Sequence, residues 1–125
     1  MKKLFLIFVI ATFAFSACDK TEDPDSFNFN TESKFQHGKM NQSIDHSLRF
    51  SITEINDSRC PSDVVCIWEG KADVKIDVES PTPGSIVLST FNHPIDTVGN
   101  FSFELIDVSP YPVSTKTITL DDYIV

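Results

Sequence analysis

Apolar and polar residues alternate along several stretches of this chain, most clearly from Lys71 to Glu79. Charged residues occupy every second position there, and the apolar positions between them are Ala72, Val74, Ile76 and Val78. Because the side chains of a β-strand point alternately to opposite faces, this period of two predicts a strand with one buried and one solvated face. No stretch shows a helical period of similar strength.

Further segments predict strands in the same way. Residues 48–55 place Leu48, Phe50 and Ile52 on one face, and residues 85–91 return from the turn SPTPG at residues 80–84 as the second strand of a hairpin. Residues 101–108 begin with alternate apolar positions and then change parity after Leu105, which predicts a β-bulge or a strand covered on both faces. Other β-prone segments are residues 115–120, residues 123–125 and the region of Phe27, Phe29 and Phe35.

The predicted fold class is therefore all-β. About seven short strands separated by turns are typical of an antiparallel β-sandwich or a small barrel. Strands do not alternate with helices along the chain, which argues against a parallel α/β fold. The length suits one domain rather than two.

An apolar run precedes this domain. Lys2 and Lys3 are followed by residues 4–15, of which only Thr12 is polar. The run is shorter than the roughly 20 residues that span a bilayer, so it predicts a signal peptide. Its end, the FSAC of residues 15–18, resembles the lipobox of bacterial lipoproteins, in which the cysteine receives a diacylglyceryl group and becomes the N-terminus after cleavage. The resemblance implies that Cys18 carries the lipid.

The chain is thus predicted to consist of a lipoprotein signal peptide (residues 1–17), a flexible acidic tether (residues 18–26) and a β-sandwich domain (residues 27–125). The tether resembles the lysine-plus-acidic signal that sends lipoproteins of Bacteroidota to the outer face of the outer membrane. By the enterobacterial sorting rule, Asp19 beside Cys18 implies retention at the inner membrane instead. We predict a lipid-anchored position at the cell envelope, on the outer membrane and facing outward, with the inner membrane or the periplasmic face as alternatives.

The charge of the chain excludes some partners. All 18 acidic residues but only eight of the ten basic ones follow the predicted signal peptide, which leaves a formal net charge of −10. This charge argues against binding nucleic acid, which needs clustered Lys and Arg, and against electrostatic adsorption to an anionic membrane. We expect no nucleic acid partner and no cofactor.

Two cysteines remain when Cys18 is assigned to the lipid, and an even pair outside the reducing cytosol predicts a disulfide between Cys60 and Cys66. A loop this short gains only about 2 kcal/mol from such a bond.

Three alternatives to a disulfide are less well supported. A redox centre needs two residues between its cysteines rather than five, and zinc needs about four ligands, whereas His37, His46 and His93 lack paired ligand spacing. A nucleophilic cysteine needs one free thiol. We therefore predict no metal site.

The same residues carry a second resemblance. DSRCPSDVVCIWEGKADVKIDV, residues 57–78, is similar to the Asp-Ser-Arg-Cys-Pro … Cys-x-Trp-x-Gly segment of a group of small bacterial lipoproteins and secreted proteins. The resemblance implies a small β-rich exported domain and brings no activity with it. We expect Asp57 and Arg59 to form an ion pair or a turn cap, Trp68 to be buried beside the disulfide in a strand that begins near Val64, and Gly70 to make a tight link into the next strand.

The function predicted from these features is that of a non-enzymatic binding or structural module. It would be anchored to the membrane by its lipid and would meet a protein, peptide or glycan partner through its loops. A proteinase-inhibitor-like domain is the alternative, with the proline-rich loops at residues 81–84 and 109–114 as its candidate segments. A hydrolase is disfavoured because no Ser-His-Asp, paired-carboxylate or phosphate-loop pattern stands out, so we expect no catalytic residue.

Overall fold

The computed structural model describes residues 26–125. The predicted signal peptide, Cys18 and residues 19–25 of the predicted tether lie outside the described residues. Among the described residues, no helix has the length and apolar character needed to cross a membrane. The elements are β1 (Ser26–Phe27), β2 (Met40–Ser43), β3 (Arg49–Asp57), β4 (Ala72–Ser80), β5 (Gly84–Ser89), β6 (Ile95–Val98), β7 (Phe101–Glu104) and a 3-10 helix (Leu120–Asp122). The all-β prediction is confirmed.

The strands form two sheets. Five of them hydrogen-bond in the order β1-β2-β3-β4-β5, and β6 pairs with β7 in a separate sheet. The strands β2 to β5 are antiparallel, whereas β1 pairs with β2 in parallel, so the larger sheet is mixed rather than purely antiparallel. Within residues 26–125 no pairing joins β1 to β5, and the small-barrel alternative is therefore wrong.

The long pair β3–β4 forms the centre of the larger sheet, as the alternation predicts. Phe50 and Ile52 of β3 lie opposite Val78 and Ile76 of β4, and all four are buried. A shift of register between Ile52 and Glu54 then skips one residue of β3. Because of this bulge, Ile55 lies on the buried face opposite Val74 although it follows the buried Ile52 by three residues rather than by two or four.

The smaller sheet contacts the apolar face of the larger one. The ring of Phe103 in β7 lies 5.3 Å from the ring of Phe50 in an edge-to-face contact. Val98 of β6 is buried, and its side chain fills the space beside Gly84 that a Cβ would otherwise occupy. The core therefore lies between β3–β5 and the segment from β6 to Val108.

Two predicted strands are absent. Residues 64–68 form an exposed loop, and residues 115–120 are irregular until the 3-10 helix begins at Leu120. In the second segment only Ile118 is partly buried, so no apolar face holds it on a sheet. Thr119 and Asp122 instead exchange the two hydrogen bonds of a capping box, which favours a helical turn.

The parity change after Leu105 reflects the end of β7 rather than the predicted bulge or two-sided strand. β7 ends at Glu104, and the irregular chain beyond it buries Leu105 and Val108 while Ile106 is 63% exposed. At the N-terminal side, Phe27 lies in a strand of two residues, and Phe29 and Phe35 lie outside the named strands.

Ile124 connects two distant segments of the described chain. It forms isolated antiparallel bridges with Gln36 on one side and Ser109 on the other, and its N–H donates to the Ser109 carbonyl at 2.7 Å. This arrangement brings the neighbouring Tyr123 to the end of β3, where the candidate site lies.

Candidate functional site

The two cysteines lie where the β3–β4 pair ends. Two backbone hydrogen bonds extend the ladder beyond the strands, from Ser58 N–H to the Lys71 carbonyl at 2.8 Å and from Cys60 N–H to the Glu69 carbonyl at 2.7 Å. A disulfide joins Cys60 to Cys66, whose Cα atoms are 5.9 Å apart. The predicted disulfide is therefore present, and residues 60–69 are called the disulfide loop below.

Gly70 closes the base of the disulfide loop. Its φ angle of +72° lies in the left-handed region, which side chains disfavour. A Cβ at this position would also collide with the carbonyl group of Ser58 and with the Cα of Arg59. Both the conformation and the close approach of the two chains therefore require glycine, which makes the link into β4 tight, as the sequence predicts.

Residues 109–114 support the disulfide loop from the side. The Ser62 N–H donates to the Pro112 carbonyl at 3.0 Å, and the Ser114 N–H donates to Asp63 Oδ1 at 2.8 Å. The Ser114 hydroxyl donates to the other carboxylate oxygen of Asp63, and these hydrogen bonds lower the pKa of Asp63. The loop is thus held by contacts at its base, along its side and through its own disulfide.

Asp57 and Arg59 form a buried ion pair beneath the disulfide loop. Arg59 Nη2 and Nε donate to the two carboxylate oxygens of Asp57 at 2.7 and 2.8 Å, and the side chains of Asp57 and Arg59 are only 3% and 7% exposed. The guanidinium also donates to the carbonyls of Val108 at 2.7 Å and Pro110 at 3.2 Å. Because buried charges are tolerated when they are paired and hydrogen-bonded, this pair attaches residues 108–110 to the base of the loop.

Two tyrosines complete the environment of the ion pair. The Tyr123 hydroxyl donates to Asp57 Oδ2 at 3.1 Å, and the Arg59 guanidinium carbon lies 4.5 Å from the centroid of the Tyr111 ring. Burial raises the pKa of Asp57, but the hydrogen bonds and the charge of Arg59 outweigh it, so this pKa lies below its ordinary value. Burial raises the pKa of Tyr123, and the negative charge of Asp57 raises it further.

These shifts predict that stability falls on both sides of neutral pH. The contribution of Asp57 is present above its unfolded-state pKa of about 3.9 and is lost as the pH falls through the lower folded-state value. The contribution of Tyr123 is present below its unfolded-state pKa of about 10 and is lost as the pH rises through the higher folded-state value. Urea unfolding across this range should show both losses, and Tyr123→Phe should weaken the alkaline one. A free energy of unfolding that stays constant from about pH 5 to pH 3 would contradict the assignment for Asp57.

The disulfide loop exposes large apolar side chains. Val65 and Ile67 are fully exposed, Trp68 is 57% exposed, and the edge-to-face partner of Trp68 is Phe91, which is itself 62% exposed. The expectation that Trp68 is buried beside the disulfide is therefore wrong. The last ladder hydrogen bond joins Cys60 to Glu69, so the residues between them leave the sheet and project into solvent. We call Val65, Ile67 and Trp68, together with the neighbouring Phe91, the apolar surface of the loop.

The geometry gives little support to a redox centre, a nucleophilic cysteine or a zinc site at Cys60 and Cys66. Both sulfur atoms are in the disulfide, and the three histidines contact other groups or lie in turns. Within residues 26–125, no group of three or more His, Cys, Asp or Glu side chains is placed to hold a metal ion.

Sequence reasoning missed Phe91, Tyr111 and Tyr123 as members of this site. Phe91 lies beside Trp68 because Thr90 and Ala72 exchange two hydrogen bonds of 3.0 Å at the start of β4. All three residues come from segments far from the cysteines in sequence, and the local pattern carries no signal for such contacts.

The fold and the site together define an all-β domain that presents a disulfide-closed apolar loop above a buried ion pair. Comparisons with protein-family models, with curated proteins and with solved structures found no match.

Proposed function

We propose that this protein is a lipid-anchored, non-enzymatic binding module of the cell envelope, whose disulfide loop meets a protein partner. The observation that carries the proposal is the exposed apolar surface on a loop that is held at its base and side. Exposed tryptophan with apolar neighbours is typical of binding hot spots, and prior ordering of the loop lowers the entropic cost of association.

The architecture proposed for the module is a β-sandwich with the β6–β7 sheet as its smaller layer. The contact between Phe50 and Phe103 supports this part of the proposal. The absence of enzymatic activity is likewise a proposal, supported by the engagement of Asp57, Arg59 and Tyr123 with one another rather than with an open cleft.

The composition of the loop favours a protein partner over a glycan or a membrane. Val65 and Ile67 are aliphatic, whereas a sugar platform relies on aromatic side chains with polar handles. The chain that begins at Cys18, with a formal net charge of −10, opposes adsorption to an anionic membrane. Asp63 and Glu69 are exposed in the same loop, so a partner with an apolar depression bordered by basic residues would be complementary to it.

Attachment at Cys18 and an outward-facing position on the outer membrane belong to the same proposal. A disulfide persists outside the reducing cytosol, which is compatible with this location. Labelling of cells with tritiated palmitate should mark the chain and should fail with Cys18→Ala. Protease added to intact cells should digest the domain, and protection from the protease would place it on an inner face.

The partner is tested by a photo-crosslinking residue placed at Val65 of the full chain in intact cells. We expect an adduct with one defined protein, and we expect none from the matched position Val87, which is an exposed apolar residue of β5. Ile67→Asp should abolish the adduct without changing the free energy of unfolding, because Ile67 is fully exposed. Equal adducts from positions 65 and 87, or adducts with lipid alone, would overturn the proposal.

A proteinase inhibitor is the second candidate, because a braced, disulfide-closed loop with fully exposed side chains is suited to enter an enzyme cleft. The inhibitory segment would be residues 64–68 rather than the proline-rich loops predicted from the sequence. Residues 109–114 are engaged with Arg59 and Asp63 instead. A crosslinked partner that proves to be a proteinase, with the loop uncleaved, would favour this candidate.

A further inference from the structure

An apolar cavity lies between the two sheets, apart from the disulfide loop. Its volume is about 470 Å³ and it is partly open to solvent. Side chains of β3, β4 and β5 form its floor, and the segments around residues 27–35 and 101–109 form its walls. Six phenylalanines line it, namely Phe27, Phe29, Phe35, Phe50, Phe101 and Phe103.

These phenylalanines contact one another yet leave the space between them unfilled. Phe29 is 39% exposed and stacks on Phe101 with 5.4 Å between the ring centroids, and Phe27 contacts Phe50 edge-to-face at 5.5 Å. Of the six, only Phe50 is fully buried. Because protein interiors are normally close-packed, an open cavity walled by partly exposed aromatic rings is suited to an apolar ligand.

The volume indicates the size of that ligand. An apolar cavity of about 150 Å³ holds one benzene molecule, so the present cavity has space for roughly three times as many carbon atoms, or about 18. Its mostly apolar lining and its partial opening to solvent suit an apolar chain with a polar end at the surface rather than a molecule enclosed on all sides.

The charges among the lining residues indicate the polar end. Glu32, Glu104 and Asp107 contribute three negative charges, and Lys34 contributes one positive charge. All four side chains are exposed, so they act on a head group at the opening rather than on the chain inside. This excess of negative charge disfavours a carboxylate head group and favours an uncharged or cationic one.

We propose that the cavity is a binding site for an alkyl or acyl chain whose polar end is uncharged or cationic. The chain could come from a free amphiphile or from the acyl group proposed at Cys18, which precedes the cavity-lining Phe27 by a tether of at most about 30 Å. Both sources supply the same chemistry to the same site, and this site differs from the protein-binding loop proposed above.

The site is tested with N-phenyl-1-naphthylamine, an uncharged probe that becomes fluorescent in apolar surroundings. We expect saturable binding by the Cys18→Ser chain, whose cavity cannot hold the protein's own acyl group, and displacement by twelve-carbon competitors that differ only in the head group. Dodecylamine and dodecanol should displace the probe at lower concentrations than dodecanoate. Glu104→Lys should shift this order toward dodecanoate, whereas Glu54→Lys, an exposed glutamate of β3 outside the cavity lining, should leave it unchanged.

A matched pair of variants locates the bound probe. Phe29→Ala removes a partly exposed ring from the cavity wall and should weaken probe binding about fivefold, by the usual strength of an aromatic contact. Phe91→Ala removes an exposed ring outside the cavity and should have no effect. Urea unfolding of both variants verifies that each is folded under the assay conditions.

Cys18→Ser distinguishes the two sources of the chain. Equal probe binding by the lipidated wild type and by Cys18→Ser indicates a free amphiphile, whereas binding by Cys18→Ser alone indicates that the protein's own acyl group fills the cavity. Absence of saturable binding in both forms would overturn the proposal, as would equal weakening by Phe29→Ala and Phe91→Ala. Neither result bears on the protein partner of the disulfide loop, which the crosslinking experiment tests separately.

Discussion

Asp57→Asn is expected to lower the free energy of unfolding by about 3–5 kcal/mol, the usual cost of removing one partner of a buried ion pair. The Asp57 carboxylate accepts hydrogen bonds from the backbone N–H, Nε and Nη2 of Arg59 and from the Tyr123 hydroxyl. Asparagine offers one acceptor oxygen and directs N–H groups toward these donors, which leaves the guanidinium charge buried without compensation. Urea unfolding monitored by Trp68 fluorescence measures the loss.

A double-mutant cycle separates the ion pair from general damage. Arg59→Met should also destabilise the fold, and the double variant should cost less than the sum of the two single losses because neither charge is left alone. Asp63→Asn is the matched control, since Asp63 is hydrogen-bonded across the same loop but exposed, and its effect should be much smaller. Additive single effects, or equal losses of stability for Asp57→Asn and Asp63→Asn, would show that the ion pair does not hold residues 108–110 at the base of the disulfide loop.

Gly70→Ala is expected to destabilise the protein by about 3 kcal/mol. Two causes combine at this position, the φ angle of +72° and the collision of a new Cβ with the backbone of Ser58 and Arg59. The collision would separate the two sides of the loop base, and it would therefore disturb the Ser58–Lys71 and Cys60–Glu69 hydrogen bonds. Thermal and urea unfolding measure the loss, and hydrogen exchange at residues 58 and 60 shows whether the loop base opens.

Gly38→Ala is the control, because Gly38 has a φ angle of +75° and nothing lies within 4 Å of its Cβ position. It should cost only about 1 kcal/mol, the strain of the left-handed conformation by itself. The difference between the two variants then measures the close approach at Gly70. If both alanine variants lose the same stability, the backbone contact at Gly70 contributes nothing and the loop base is less tightly packed than the geometry indicates.

The sequence predicted the regular part of the fold well because that part depends on local period. The alternation from Lys71 to Glu79 and from Leu48 to Ile55 corresponds to β4 and β3, and the SPTPG turn leads into β5. Where a segment lacked a partner on a sheet, β-propensity failed: residues 115–120 are rich in threonine but expose nearly every side chain. The prediction for Trp68 failed in the same way, since its neighbours are apolar but the ladder ends before them.

The sequence was therefore sufficient to predict the all-β class, the central hairpin strands and the pairing of Cys60 with Cys66, because each follows from spacing within a short stretch or from a count of cysteines. Three features depend on the tertiary fold: Trp68 lies on the surface beside Phe91, Tyr123 joins Asp57 and Arg59, and six phenylalanines surround a cavity. These features arise from contacts between residues far apart in the chain. A local period says which face of a strand is apolar, but packing in three dimensions decides what that face meets and whether it is covered.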